Sequence, residues 1–138
     1  MSIFQETYAG RKILVTGHTG FKGSWLTTWL YELGGSITGV SIDVPSSPSN
    51  FETLKIGNFI KDHRIDIVDS EKVKKLIADE EPDFIFHLAA QALVRESYDK
   101  PLNTLLTNAM GTANLMDALR NVKKHTVVVL ITSDKVYD

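Results

Sequence analysis

The chain has 138 residues, 43% of them hydrophobic and 23% charged, with a formal net charge of −2. That length suits one domain with a real core, and the near balance of charge argues against a nucleic-acid backbone binder, which needs a basic surplus on one face. It contains no cysteine, which excludes disulfides and thiolate metal sites.

The N-terminal MSIFQETYAGRK holds no apolar core of signal-peptide length, and no apolar run is long enough to span a bilayer. No membrane partner is expected, and the cytoplasm is the expected location.

Strands and helices alternate. Ile13 to Thr16 is short, apolar and β-branched, which predicts a first strand. A helix follows over Phe21 to Leu33, with Trp25, Trp29 and Leu33 on one side and Leu26 and Leu30 beside it, stopped by Gly34-Gly35. Ser36 to Asp43 reads as the second strand, and PSSPSN (45–50) as a surface loop. A short third strand is expected over His63 to Val68. The helix expected over Ser70 to Glu80 turns Val73, Leu76 and Ile77 inward and stops at Pro82.

Phe84 to Leu88 predicts a fourth strand. Pro101 suits a first helical position, opening a helix to about Val122. Leu102, Leu105, Leu106, Ala109, Ala113 and Met116 form one stripe on it, widened by Met110, Leu115 and Leu119. The fifth strand, Thr126 to Thr132, is an unbroken apolar run, which belongs to a strand covered on both faces. Such alternation predicts an α/β fold with helices on both faces of a parallel sheet. With right-handed crossovers and a glycine loop after the first strand, the expectation is a doubly wound Rossmann-type sheet in the order 3-2-1-4-5.

In VTGHTGFKGSWL (15–26) the glycines Gly17, Gly20 and Gly23 stand three apart between strand and helix. In such a loop the first glycine permits the turn and the second lets backbone approach a pyrophosphate. The third lets the helix pack close to the sheet, and the helix start faces the anion. A lone glycine pattern is weak evidence. This one follows a strand, opens a helix and precedes Asp43, 26 residues after Gly17, so it predicts dinucleotide binding. A carboxylate there accepts from ribose hydroxyls and repels a ribose phosphate, which favours NAD over NADP. The alternative is that Asp43 merely starts a solvated loop. Lys22 and His18 are expected to be spectators, giving backbone contacts or solvated tips.

The glycine spacing resembles the short-chain dehydrogenase/reductase superfamily, specifically its extended members, which act on nucleotide sugars. HLAAQ (87–91), TNAMGT (107–112) and TSDKVY (132–137) follow in that family's order. VTGHTGFKGSWL, AAQALVRESY and ITSDKVYD together look like the CDP-glucose branch of the 4,6-dehydratases, more than its dTDP- and GDP-sugar relatives. The resemblance covers all 138 residues and under half of a full-length member. It implies the N-terminal part of a homo-oligomeric NAD-dependent enzyme of deoxysugar biosynthesis, with later strands and a sugar-nucleotide domain beyond Asp138.

The resemblance implies backbone of Phe21 and Lys22 on the pyrophosphate, and Asp66 and Ile67 beside the adenine. Leu88, Ala89, Ala90 and Gln91 would line the path to the nicotinamide, with Thr107 nearby. Small residues in LAA also suit plain packing at a strand end. Asn108 is either the superfamily's helix-kink residue, which holds a water, or a polar residue on a solvated face.

The reaction implied oxidises CDP-glucose at carbon 4, eliminates water across carbons 5 and 6, and returns the hydride to carbon 6. Ser133 would meet the substrate, Asp134 would protonate the leaving 6-hydroxyl, and Lys135 would take the carbon 5 proton. Lys135 stands where the dTDP-glucose enzymes have Glu, which leaves the base less secure than the acid. Without the resemblance, Asp134 and Lys135 read as a surface ion pair of little worth. The family's oxidation also uses a tyrosine with a lysine four residues on. Of Tyr8, Tyr31, Tyr98 and Tyr137, Tyr8 alone has one (Lys12), and it precedes the first strand. The chain alone is therefore expected to be inactive. Other readings are a non-catalytic nucleotide-binding or regulatory domain, and a fragment of a related epimerase or reductase.

Overall fold

Ser2 caps the first helix, α1 (Ile3–Tyr8), in a reciprocal box with Gln5. The Ser-x-x-Gln spacing signals this helix, which the reading by strand and helix alternation passes over. In the computed structural model, which describes residues 2–133, the chain continues through β1 (Lys12–Thr16), α2 (Phe21–Glu32), β2 (Ser36–Ser41), the short α3 (Asn50–Thr53) and β3 (Lys61–Arg64). Then come α4 (Ser70–Glu80), β4 (Phe84–His87), α5 (Val94–Asp99) and α6 (Pro101–Leu105). A π-helical segment, Leu106–Met110, runs on into α7 (Gly111–Ala118), and β5 (Val127–Leu130) follows.

The five strands form one parallel sheet in the order 3-2-1-4-5, as the alternation predicts. The strand period of two splits the apolar side chains between two faces. Leu14, Val40 and Ile85 pack with Val73, Leu76 and Ile77 of α4 and with Leu115 and Ala118 of α7. Ile13, Val15, Ile37 and Phe86 pack with Leu30 of α2 on the other face. Helices on both faces bury the centre of the sheet and leave the C-terminal strand ends free to form a cleft.

Four expectations need correction. The third strand is Lys61–Arg64, not 63–68, because it pairs with Thr38 to Ser41 of β2. The apolar Ile65 and Ile67 lie beyond it, in the loop that walls the cleft. The tryptophan side of α2 is not its core face: Trp25 is 56% exposed, while Gly23, Ser24, Thr27 and Leu30 are buried. Small residues let this helix sit close to the sheet, and bulky ones would hold it off.

The leucine stripe of helix 101–118 also faces outward, with Leu102 75% exposed, while Gly111, Leu115 and Ala118 are buried. Finally, β5 is not covered on both faces: Val128 packs on the core, but Val127, Val129 and Leu130 are exposed. Among the described residues it pairs with β4 alone and forms one edge of the sheet. The opposite edge strand is the polar KDHR of β3, a composition that blunts an edge, whereas β5 has no such protection.

A cleft at the C-terminal strand ends

The loop between β1 and α2 is built on two close backbone approaches. Gly17 has φ +74°, and a Cβ there would lie 2.8 Å from both Ala89 N and Leu88 C. A Cβ on Gly23 would lie 1.9 Å from Gly17 O. The loop is thereby pressed between the end of β4 and the first turn of α2. Gly20 caps α2 through its backbone alone, with no side-chain hydrogen bond, and the first helical N–H to be satisfied is that of Ser24, on Gly20 O at 2.9 Å. The amides before it are the unsatisfied donors of a helix start, aimed the way an anion would approach.

Beside this turn lies a cleft of about 240 Å³, walled by Gly17, Thr19 and Gly20, by Ser41 to Asp43 and Pro45, by Ile65 to Ile67, by Leu88 to Ala90, and by Asn103 and Thr107. Eight of the residues singled out in the sequence meet here: Gly17, Gly20, Asp43, Asp66, Ile67, Leu88, Ala89 and Ala90, with Thr107 as a ninth. Asp43 lies past the end of β2, not in it, and its carbonyl accepts from Thr19 Oγ1 at 2.6 Å. Asp66 Oδ1 accepts from Val68 N at 2.9 Å, which stiffens the loop after β3. Its only charged lining residues are Asp43 and Asp66, so the cleft carries no cation among the described residues.

Other candidates are placed differently. Phe21 and Lys22 are exposed and do not wall the cleft, and Gly23 is buried behind Gly17. Gln91 turns toward α6: its side-chain amide donates to Thr104 Oγ1 at 3.0 Å and to Leu93 O at 3.1 Å. Its main chain is held by Asn108, whose Oδ1 accepts from Gln91 N at 2.7 Å and whose Nδ2 donates to Gln91 O at 3.0 Å. Asn108 is exposed, yet both ends of its side-chain amide are engaged with Gln91. Ser133 is exposed beyond β5, and Asp134 and Lys135 lie outside the described residues.

His18 is not the spectator expected. It is fully buried, its Nε2 2.7 Å from Asp62 Oδ1 and its Nδ1 3.0 Å from Ser41 Oγ. It occupies the space left by Gly39, where a Cβ would meet the ring at 2.4 Å. Burial lowers its pKa from the ordinary 6.5, opposed by the Asp62 carboxylate. The neutral ring therefore donates from Nε2 to Asp62 and accepts from Ser41 at Nδ1. Thr19, Ser41, Ile42, Pro45, Ile65 and Asn103 also wall the cleft without having been foreseen. Only the Gly39–His18 pairing left a trace in the sequence, a glycine inside a β-branched strand.

The sequence pattern of the family described as GDP-mannose 4,6 dehydratase matches residues 14–137. The chain is 47% identical over 136 residues to a CDP-glucose 4,6-dehydratase of Salmonella typhimurium, an alignment covering 99% of this chain and 38% of that protein. The fold superimposes with a TM-score of 0.79 and 27% identity on UDP-glucose-4-epimerase from Stenotrophomonas maltophila with bound NAD and formylated UDP-arabinopyranose, covering 91% of this chain and 38% of that one. Thermus thermophilus UDP-glucose 4-epimerase in complex with NAD matches with a TM-score of 0.69 and 28% identity, over 80% and 34% of the two chains. This chain thus spans about two fifths of the relatives it matches. The glycine turn, the cleft beside it and the match over 14–137 agree: the chain belongs to the GDP-mannose 4,6 dehydratase family of nucleotide-sugar dehydratases and epimerases.

Proposed function

We propose that this chain is the NAD-binding segment of an enzyme that dehydrates CDP-glucose to its 4-keto-6-deoxy derivative. The observation that carries the reading is the cleft itself, with open glycine backbone and a helix start without a side-chain cap at one end and carboxylates, not cations, along its wall. The residues fit NAD. The amides at the start of α2 would meet the pyrophosphate, Asp43 the adenosine ribose hydroxyls, and Asp66 and Ile67 the adenine edge. Ala89 and Ala90 leave room for the nicotinamide end, near Thr107. When bound, NAD supplies a hydride acceptor.

The preference for CDP-glucose rests on the 47% identity to the Salmonella enzyme. On the same resemblance, Ser133 would hold the sugar, Asp134 would donate a proton to the departing 6-hydroxyl, and Lys135 would remove the proton from carbon 5. Acting as a base requires Lys135 to be neutral, hence desolvated or beside another cation.

Calorimetric titration of the chain with NAD and NADP tests the cofactor. NAD is expected to bind more tightly, and Asp43→Asn to weaken NAD by about ten-fold while weakening NADP less, as befits a lost charge-assisted bond. Tighter binding of NADP by the parent chain would overturn the assignment.

We also propose that the chain self-associates through the exposed leucine stripe of helix 101–118 and the open β5 edge. Sedimentation at micromolar concentration is expected to show a dimer or larger species. A clean monomer would refute this.

A further inference from the structure

A second buried histidine, His87 at the end of β4, lies outside the cleft wall and outside every role assigned above. Its Nδ1 is 2.6 Å from Thr16 Oγ1, and its Nε2 is 2.9 Å from Thr112 Oγ1. The neighbouring donors decide where its proton sits. Thr16 Oγ1 already accepts from Ala89 N at 3.1 Å, and it shares the Leu88 N–H, 3.2 Å away, with the Thr16 carbonyl oxygen at 3.1 Å. The other partners of Thr16 Oγ1 are N–H donors, so its hydrogen points at His87 Nδ1, and Nδ1 accepts. The ring proton is on Nε2 and is donated to Thr112, whose own hydroxyl donates to Asn108 O at 2.7 Å.

The two ends of this chain of bonds are informative. One end is the backbone of Leu88 and Ala89, two residues of the cleft wall. The other is the π-helical segment Leu106–Met110, closed by the Gly111 N–H on Leu106 O, one residue further back than in an α-helix. Such interruptions cost helix regularity and recur where a side chain must be re-aimed. This one carries Thr107, which walls the cleft, and Asn108, which clamps Gln91 from both sides. Burial lowers the pKa of His87, which agrees with a neutral ring.

We propose that His87, with its proton on Nε2, is a positioning residue that locks the π-helical segment to the end of β4 and so sets the cleft wall on both sides of the nicotinamide end. Its effect on binding rests on the NAD reading above, whereas the lock itself does not.

Thr112 offers the cleanest cut, because it is outside the cleft wall. Thr112→Val keeps the shape of the side chain and removes the hydroxyl that accepts from His87 and donates to Asn108 O, and Thr112→Ser keeps that hydroxyl. The expected result is that Thr112→Val melts cooperatively, yet exchanges the Gln91 amide hydrogen at least about ten-fold faster and binds NAD about ten-fold more weakly, since the bonds from His87 and to Asn108 O are both lost. Thr112→Ser should restore both toward the parent, where loss of packing alone would not be restored by a smaller residue. Nitrogen-15 spectra of the parent should show His87 protonated at Nε2 and not at Nδ1.

Protonation at Nδ1, or a Gln91 amide as protected in Thr112→Val as in the parent, overturns the proposal. If the parent binds no NAD, the cofactor reading fails, and Gln91 exchange with the histidine spectrum still decides the lock. Should Thr112→Val not fold, His87→Gln, whose amide can still donate to Thr112, is expected to keep Gln91 protected. Loss of protection there overturns the lock.

Discussion

Gly17→Val is expected to abolish NAD binding and to destabilise the fold. Two penalties combine at this position. The left-handed backbone at φ +74° costs a residue with a Cβ about 1–2 kcal/mol, and more for a branched one. A Cβ 2.8 Å from the backbone of Leu88 and Ala89 meets atoms that cannot rotate away, and overpacking of this kind costs about 1–3 kcal/mol. Gly23→Ala isolates the second effect, because Gly23 has ordinary helical φ and its added methyl would lie 1.9 Å from Gly17 O. The start of α2 must then move off the loop, carrying its free amides with it. Calorimetric titration and thermal melts of both variants check this. Parent affinity for NAD in Gly23→Ala would show that the close approach is not needed.

Ile85→Ala is the second large effect. Ile85 is wholly buried in β4, opposite Leu14 of β1 and Val128 of β5. It belongs to the cluster that joins β4 to α4 and α7 and includes Ile67 of the cleft wall. Truncating such a side chain costs about 2–5 kcal/mol, transfer and cavity together, against a total stability of about 5–15 kcal/mol. The melting temperature is expected to fall by roughly 10 °C. NAD affinity should fall with it, because Ile67 of the cleft wall belongs to the same cluster. Trp25→Ala is the control: a larger side chain, but more than half exposed, for which a loss below about 1 kcal/mol is expected. A smaller effect at Ile85 than at Trp25 would contradict the placement of the core.

Sequence alone determined the strand order, the helix over Ser70 to Glu80 and the glycine turn, because each follows from a local signal. Apolar runs of strand length, a 3.6-residue period and glycines at fixed spacing act on their own neighbours. Asp43 was legible from its place after the second strand, whereas Asp66, Ile67 and Leu88 to Ala90 follow from the family resemblance; they wall one cleft because a doubly wound sheet sets its C-terminal strand ends side by side.

What only the tertiary structure decided depends on partners distant in the chain. Trp25 and Trp29 have the spacing of a core face, yet α2 turns Gly23, Ser24 and Thr27 inward along its first turns, where it lies close to the sheet, and Leu30 further on. His18 looks like a solvated tip until Gly39, on the neighbouring strand, opens space for its ring and Asp62, on the next, accepts its proton. Thr16, His87 and Thr112 lie on three separate elements, and their bonds span 71 and 25 residues of chain. A periodic pattern reports which side of an element is apolar. Whether a polar group is buried depends on whether a distant donor or acceptor meets it there, and only the folded chain brings the two together.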